Sequence, residues 1–280
     1  WGRNFEKSKA VCEELKDFPF SCEAIESIES VIQKADIISC ATLSKTPLVH
    51  GKWLKEGQHL DLVGAYKKDM READDEAIAK FLENNYMDSQ GNIKAFDSSS
   101  TADDNETKLK DLNPQTTASG AIYIIRPNAQ PNPGTAIGNT DVMRIMMKSR
   151  AYLAGISDGN VSFLTSSVFS GFSPLDETGS PLSDPLIYYV KQATLDASSK
   201  ERSYYEMEGF QEGIRKFQAF NIADDTNYNL QGVIIVPSKA AYARDAHYSF
   251  GGSTSSPYRN YTFIFNVQVY KTRARTTAEL

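Results

Sequence analysis

The sequence is poor in the residues on which several classes of protein depend. Its 280 residues include 3 cysteines, 3 histidines and 2 tryptophans, and its formal net charge is −6. No apolar run approaches the roughly 20 residues of a membrane-spanning helix, so no transmembrane segment is predicted. The negative charge argues against nonspecific nucleic-acid binding, because Lys and Arg must neutralise the phosphates.

The three cysteines, Cys12, Cys22 and Cys40, all lie near the start of the chain. Their odd number and the lack of CxxC spacing argue against a disulfide framework and a zinc site. Cys40 stands in an apolar run, where a free thiol behaves as a small buried side chain. Free thiols suit a reducing compartment, and no targeting leader follows Trp1. We therefore expect a soluble intracellular protein, whose compartment the sequence does not identify.

Histidines and acidic residues form no recognisable metal or catalytic motif. His50, His59 and His247 lack the HExxH and His-x-His spacings of metal sites. No GxSxG nucleophile elbow or Cys/His pairing occurs. The acidic run at 72–76 is typical of the first turn of a helix, where carboxylates meet the positive end of the dipole. We predict neither a metal ion nor a catalytic residue.

Residues 1–86 alternate between helical and strand-like patterns. Apolar residues recur at helical spacing in 5–15 and 24–33, and short apolar runs follow at 36–42 and 59–65. Strands that are buried on both faces have such continuous apolar runs, and their alternation with helices favours a parallel sheet. We predict an α/β segment here, with a parallel sheet covered by helices.

The composition changes after Asn84. Residues 87–119 are rich in Asp, Ser, Thr and Asn, which predicts a polar linker or loop. Residues 120–280 predict an α+β region of unknown family with long loops. Its predicted elements are a strand at 121–125, a helix from 139 or 140 to about 153, helices at 184–197 and 199–220, and strands at 233–236 and 262–270.

A family resemblance covers residues 1 to about 83. In order and spacing, its motifs resemble the C-terminal half of the Rossmann domain of the ornithine cyclodeaminase and mu-crystallin family, which includes alanine dehydrogenases and cyclic imine reductases. The motifs are WGRNFEKSKA at 1–10, ADIISCATLSKTPLV at 35–49, GKWLKEG at 51–57 and HLDLVGAYKKDMREAD at 59–74.

The resemblance implies an NAD(P)-binding site. Arg3 and Asn4 resemble the residues that meet the adenosine ribose or its 2′-phosphate, for which a guanidinium is well suited. In a partial Rossmann-like parallel sheet, residues 41–43 would follow one strand at the sheet edge where cofactors lie. Gly64 and Ala65 would follow the next strand, beside the nicotinamide. The implied cofactor-binding residues are Arg3, Asn4, Ala41, Thr42, Leu43, Gly64 and Ala65.

The chain departs from the family in two respects. The GxGxxG turn that cradles the pyrophosphate would precede Trp1, and Gly251-Gly252 has neither the strand before nor the helix after that such a turn needs. Tyr66 stands where cyclodeaminases carry an active-site aspartate. A phenol with a pKa near 10 cannot act as that base at neutral pH.

Three hypotheses remain open. We expect a non-catalytic structural or assembly protein built on a remnant of an NAD(P)-binding domain, with its long loops held by partner subunits in a larger complex. The alternatives are a fragment of an NAD(P)-dependent imine reductase or cyclodeaminase-like enzyme, and a ligand-binding protein similar to mu-crystallin. Retention of NAD(P) binding is left open by the sequence.

Overall fold

The chain divides into two units, which we call unit 1 and unit 2. Unit 1 comprises residues 1–76 with 156–161, and unit 2 comprises residues 77–155 with 162–280. The computed structural model describes residues 1–42, 44, 48–55, 57–62, 76–157, 160–169, 181–250 and 256–280. Helices and sheets are both present, so the broad prediction of a mixed α and β protein is confirmed.

The described residues of unit 1 include one α-helix and one pair of parallel strands. The strands pair in register from Ile37 opposite His59 to Cys40 opposite Leu62. This is the only parallel pair in the described part of the chain, so a Rossmann-like parallel sheet is not confirmed. The elements are α1 (Phe5–Glu14), β1 (Ile37–Cys40), β2 (His59–Leu62) and 3₁₀ turns at Ile32–Lys34 and Gly51–Trp53.

The prediction of a helix at 5–15 is confirmed, and that of a helix at 24–33 is wrong. Asn4 begins α1 by accepting a hydrogen bond from the backbone N–H of Lys7 at 3.0 Å. In the second segment only the 3₁₀ turn Ile32–Lys34 is helical, and only Ile32 is buried. The β-branched residues of 24–33 have modest helix propensity. An amphipathic helix here would also need a surface that covers its apolar face, and apart from Ile32 these residues are not buried.

Unit 2 is built on a seven-stranded sheet whose described pairs are all antiparallel. The elements are α2 (Glu76–Asn84, in unit 2 from Ala77), β3 (Asn85–Met87), β4 (Ile93–Ala95), β5 (Gln115–Thr116), β6 (Ile122–Ile125), β7 (Thr135–Ala136), β8 (Val142–Ser157, in unit 2 to Gly155), β9 (Asn160–Val168, in unit 2 from Ser162), β10 (Leu182–Ser183), α3 (Gln192–Ser198), α4 (Glu208–Ile214), β11 (Gln218–Ala219), β12 (Gly232–Val236) and β13 (Thr262–Arg273). The strand order in the sheet is β10-β8-β13-β12-β6-β5, with β9 paired to β8.

Both faces of this sheet are covered. On one face Val233 and Ile235 pack with Ile78 and Leu82 of α2. On the other face the alternate residues of β12 and β13 pack with α4 and the long aromatic segment before it. The predicted strands at 121–125, 233–236 and 262–270 are confirmed, but β13 is buried on both faces and not on one.

The polar residues of β13 are buried together with hydrogen-bonding partners. Asn266 donates to the carbonyl oxygens of Gly91 at 2.9 Å and Gly232 at 3.0 Å. Gln268 accepts from the N–H of Asn229 at 2.6 Å. Such pairing offsets the cost of removing an amide from water. The polar residues that alternate with apolar ones along β13 therefore do not face solvent.

The predicted helix from 139 or 140 to about 153 is wrong, because these residues form most of β8. Met143, Ile145, Met147, Ser149 and Ala151 are all buried, at a spacing of two. Their strand pairs with β13 from Val142 opposite Arg273 to Tyr152 opposite Thr262. The partner strand lies more than a hundred residues away in sequence, so tertiary pairing overrode a helical spacing that was coincidental.

The helices predicted at 184–197 and 199–220 are present but much shorter. Ser199, in the left-handed region with φ 53°, ends α3. In α4, Gly213 lies so close to β12 that a Cβ atom would meet the Ile234 Cγ2 at 2.6 Å. The aromatic residues of this segment are mostly core, as Tyr188, Phe210 and Phe217 are fully buried.

Residues 87–119 contain short ordered elements. They include β4, β5 and a 3₁₀ turn at Leu109–Asp111, and Leu109 is fully buried in the core. The proposed division into 1–86, 87–119 and 120–280 remains a prediction. In the described part of the chain, no helix has the length and apolar character needed to cross a membrane.

Candidate functional site

The candidate site lies where the parallel strands of unit 1 end. β1 ends at Cys40, which is buried, and Ala41 and Thr42 follow directly. The Thr42 Oγ1 accepts a hydrogen bond from the N–H of Ser44 at 3.2 Å. β2 ends beside β1 at Leu62, so the chain leaves both strands at the same edge of the pair. Ligands of open α/β sheets bind at such carboxyl ends.

Four of the residues singled out from the sequence cannot be placed. Leu43, Gly64, Ala65 and Tyr66 lie outside the described residues. The structure therefore puts Ala41 and Thr42 together at one edge. It gives no position for the residues that would complete the nicotinamide side of the site.

Arg3 and Asn4 lie near the start of the chain and directly precede α1. The described hydrogen bonds of Asn4 stay within its own helix: its side-chain oxygen accepts from Lys7 N, and its carbonyl accepts from Ser8 N at 3.2 Å. Arg3 is exposed, and among the described residues no ion pair involves it. The Asn4 side chain thus caps the N-terminus of α1, while the Arg3 guanidinium is available to an anion.

Gln58 positions the strand pair, and the sequence analysis missed it. Its buried side-chain nitrogen donates to the carbonyl oxygens of Ile32 and Ala35, both at 2.6 Å. Its oxygen accepts from Lys55 N at 2.7 Å. One amide thereby joins the segment before β1 to the turn before β2. The only available signal was a glutamine beside a predicted buried strand, which is too common to single out.

Unit 2 has a cleft of about 450 Å³ that is rich in cationic residues. Arg144 in this cleft pairs with Asp224, and Arg273 pairs with Glu279 at 2.7 Å. These internal partners take up most of the positive charge. The lining residues are Thr135, Val142, Arg144, Ser183, Phe220, Asn221, Lys271, Thr272 and Arg273.

His247 is the buried histidine of unit 2. Its Nε2 accepts from the N–H of Tyr258 at 3.0 Å, so its Nδ1 carries the proton and donates to the Asp245 carbonyl at 3.0 Å. The ring stacks on Tyr242 with centroids 4.5 Å apart. Burial lowers the pKa of His247, so the neutral form is favoured. In the described part of the chain, no cluster of His, Cys, Asp and Glu could hold a metal ion.

Comparison with known proteins supports the family resemblance. Residues 1–120 match the model of the ornithine cyclodeaminase/mu-crystallin family. The chain is 36% identical over 80 residues to Delta(1)-pyrroline-2-carboxylate reductase of Paracoccus denitrificans. It is 30% identical over 90 residues to ketimine reductase mu-crystallin of Rattus norvegicus. The predicted resemblance of the N-terminal segment is confirmed.

These matches are partial on both sides. They cover 29% and 32% of this chain, and 25% and 27% of the two relatives, so the chain spans about a quarter of their length. A solved structure, FkpA from Escherichia coli, covers 57% of this chain and 51% of its own at 18% identity. Its TM-score is 0.27, and no conclusion about fold or function rests on it.

The expectation of a non-catalytic structural or assembly protein is wrong. It depended on a second region without a counterpart in the family and on the assumption that partners order its loops, with Tyr66 as a further argument. Both of these relatives of the N-terminal segment are named as reductases, which favours the enzyme alternative. The loops of unit 2 also form hydrogen bonds within the chain. For example, the Asn266 side chain donates to the carbonyl oxygens of Gly91 and Gly232. A partner subunit remains a prediction.

Proposed function

We propose that the N-terminal segment supplies part of the NAD(P) site of an imine reductase. The observation that carries the proposal is the placement of Ala41 and Thr42 at the carboxyl ends of a parallel strand pair, in a segment similar to reductases. The substrate class is a cyclic imine or ketimine, as in the names of the two relatives. A Rossmann-like parallel sheet extending from β1 and β2 belongs to the same proposal.

The chemistry of Arg3 suits the adenosine end of the cofactor. An exposed guanidinium without an acidic partner can form a bidentate contact with a phosphate. The Asn4 side-chain oxygen caps α1, which leaves its amide N–H groups as donors for a ribose hydroxyl. These two residues would favour NADPH over NADH, because only NADPH carries the 2′-phosphate.

Residues 41–43 would line the cofactor at the sheet edge, and Gly64 and Ala65 would lie beside the nicotinamide. Small residues at the strand ends allow a planar ring to approach the backbone closely. When bound, a reduced nicotinamide supplies a hydride for the carbon of a C=N bond. Tyr66 in place of an aspartate disfavours cyclodeaminase chemistry, since a neutral phenol is a poor base at neutral pH.

Fluorescence titration tests the cofactor site. Trp1 and Trp53 both belong to unit 1, so energy transfer from tryptophan to bound reduced nicotinamide reports binding there. We expect saturable binding of NADPH. Replacement Arg3→Ala should weaken NADPH binding about tenfold, the size of one hydrogen bond to a charged group, and should weaken NADH binding much less.

Lys7→Ala is the matched control, because Lys7 is another exposed cation at the start of α1. It should leave the preference for NADPH unchanged. Equal losses for NADPH and NADH in Arg3→Ala would refute the role of Arg3. Absence of NADPH binding by the unaltered chain would refute the cofactor site. Oxidation of NADPH on adding a cyclic imine carboxylate tests the reaction itself.

A further inference from the structure

Two of the three cysteines touch each other. The Sγ atoms of Cys12, in the last turns of α1, and Cys22, in the irregular segment that follows, lie 2.7 Å apart. Both are free thiols; Cys12 is partly exposed and Cys22 is exposed. The odd number of cysteines argues against a disulfide framework, but the contact between Cys12 and Cys22 forms a pair that leaves out the third cysteine. Cys40 is buried within β1.

We propose that Cys12 and Cys22 form a reversible thiol–disulfide exchange site. The proposal goes beyond the cofactor site and does not depend on it. The thiols are already in contact, so bond formation needs no rearrangement of the fold to bring them together. The oxidant that such an exposed pair would meet is a low-molecular-weight disulfide, for example oxidised glutathione.

The exchange takes two balanced steps. The exposed Cys22, as its thiolate, attacks one sulfur of the external disulfide; a mixed disulfide forms at Cys22 and one thiol leaves. Cys12 then loses its proton to solvent, attacks the Cys22 sulfur and releases the second thiol. The protein pair is oxidised by two electrons, and the external disulfide is reduced to two thiols.

The environment of the pair assigns these roles. Cys22 is the more exposed of the two and meets the external disulfide first. Hydrogen bonding with Cys22 raises the pKa of the Cys12 thiol, which keeps Cys12 protonated and in place as the resolving group. The product would join the C-terminal half of α1 to the segment that leads towards Ile32.

Peptide mapping tests the proposal directly. Trypsin cleaves after Lys9, Lys16, Lys34 and Lys45, which puts the three cysteines on separate peptides, 10–16, 17–34 and 35–45. The whole chain is equilibrated with reduced and oxidised glutathione and then alkylated under denaturing conditions. After oxidation, peptides 10–16 and 17–34 should be linked with the loss of two hydrogen atoms, and only peptide 35–45 should be alkylated.

Single variants separate the two roles. Cys12→Ser should accumulate glutathione on Cys22, because the resolving thiol is gone. Cys22→Ser should acquire glutathione at Cys12 several-fold more slowly. Cys40→Ser is the matched control and should form the same linked peptide as the unaltered chain. Cys12 and Cys22 lie outside the core, so circular dichroism should show Cys12→Ser and Cys22→Ser folded. Cys40→Ser replaces a buried thiol with a hydroxyl, and it serves as the control when its spectrum matches that of the unaltered chain.

Three results would overturn the proposal. One is complete alkylation of all three cysteines after equilibration with oxidised glutathione. Another is a linked peptide that contains 35–45. The third is a link between two chains, which a non-reducing gel would reveal as a dimer.

Discussion

The two units of this protein use similar apolar residues with different results. In unit 2, every residue of β12 is buried, because α2 covers one face of the sheet and α4 covers the other. In unit 1, Ile37 of β1 is 71% exposed and Val11 of α1 is 52% exposed. α1 itself has no buried residue. An apolar pattern therefore leads to burial only where another element covers that face.

The difference also changes what holds each unit together. Unit 2 depends on a continuous apolar core in which Phe265 packs edge-to-face on Phe210, with ring centroids 4.7 Å apart. Among the described side chains of unit 1's strand pair, only that of Cys40 is buried, and Gln58 joins the segments that precede the strands. We therefore expect truncation of apolar residues to affect unit 2 most, and loss of one polar residue to affect unit 1.

Intrinsic probes allow the units to be followed separately. Both tryptophans lie in unit 1, and of the 14 tyrosines all but Tyr66 lie in unit 2. Tryptophan fluorescence therefore reports unit 1, and the near-ultraviolet circular dichroism of tyrosine reports mainly unit 2.

The largest expected effect is that of Phe265→Ala. Removing a fully buried ring from the core of unit 2 should lower its free energy of unfolding by about 3 to 5 kcal/mol. Ile37→Ala, at an exposed strand position of unit 1, should change stability by no more than about 0.5 kcal/mol. Urea titration of both variants measures the difference. Similar losses for the two would mean that β1 is covered in solution and that the contrast between the units is false.

A smaller, local effect is expected from Gln58→Met. This change keeps the size of the side chain but leaves the Ala35 carbonyl oxygen and the Lys55 N–H unpaired, at a cost of about 1 to 3 kcal/mol. The Ile32 carbonyl oxygen loses one of its two donors and keeps the Ala35 N–H. Amide hydrogen exchange in β1 and β2 should become at least about tenfold faster, with no change in β12. Gln33→Met, at an exposed glutamine in the neighbouring turn, is the control. Unchanged exchange in β1 and β2 would show that Gln58 does not hold the strands.

The smallest effect concerns pH and His247. The pKa of His247 in the folded state lies below the ordinary 6.5. As the pH drops below about 6.5, the unfolded state therefore binds more protons than the folded state, and the stability of the folded state falls. Between pH 7 and 6 the loss should be at most about 0.7 kcal/mol. The tyrosine signal should register it, and His247→Gln, whose amide oxygen can still accept from Tyr258, should abolish it. An identical pH dependence in the variant would assign the loss to other groups.

Prediction from sequence succeeded where a signal was local. The helical spacing of apolar residues at 5–15 predicted α1, and the run Val233–Val236 predicted β12, because each pattern fits only one common structure. It failed for β8, whose residues match both a helical and an alternating spacing. Pairing with β13 decided between them, and no local pattern contains that partner.

The candidate site shows the same division. The motif at 35–49 identified Ala41 and Thr42 as following a strand, and the structure places them at the carboxyl end of a parallel pair. The role of Gln58 and the contact between Cys12 and Cys22 could not be predicted. Each depends on chain segments that come together only after folding.

By itself, the sequence determined the family resemblance of the N-terminal segment, the start of α1 and the strands whose apolar runs are unambiguous. These depend on residue order and on interactions within a few positions. The tertiary structure decided which apolar faces are covered, that β8 is a strand, and which cysteines meet. Burial and pairing are properties of surfaces brought together from distant positions, so they emerge only when the whole chain has folded.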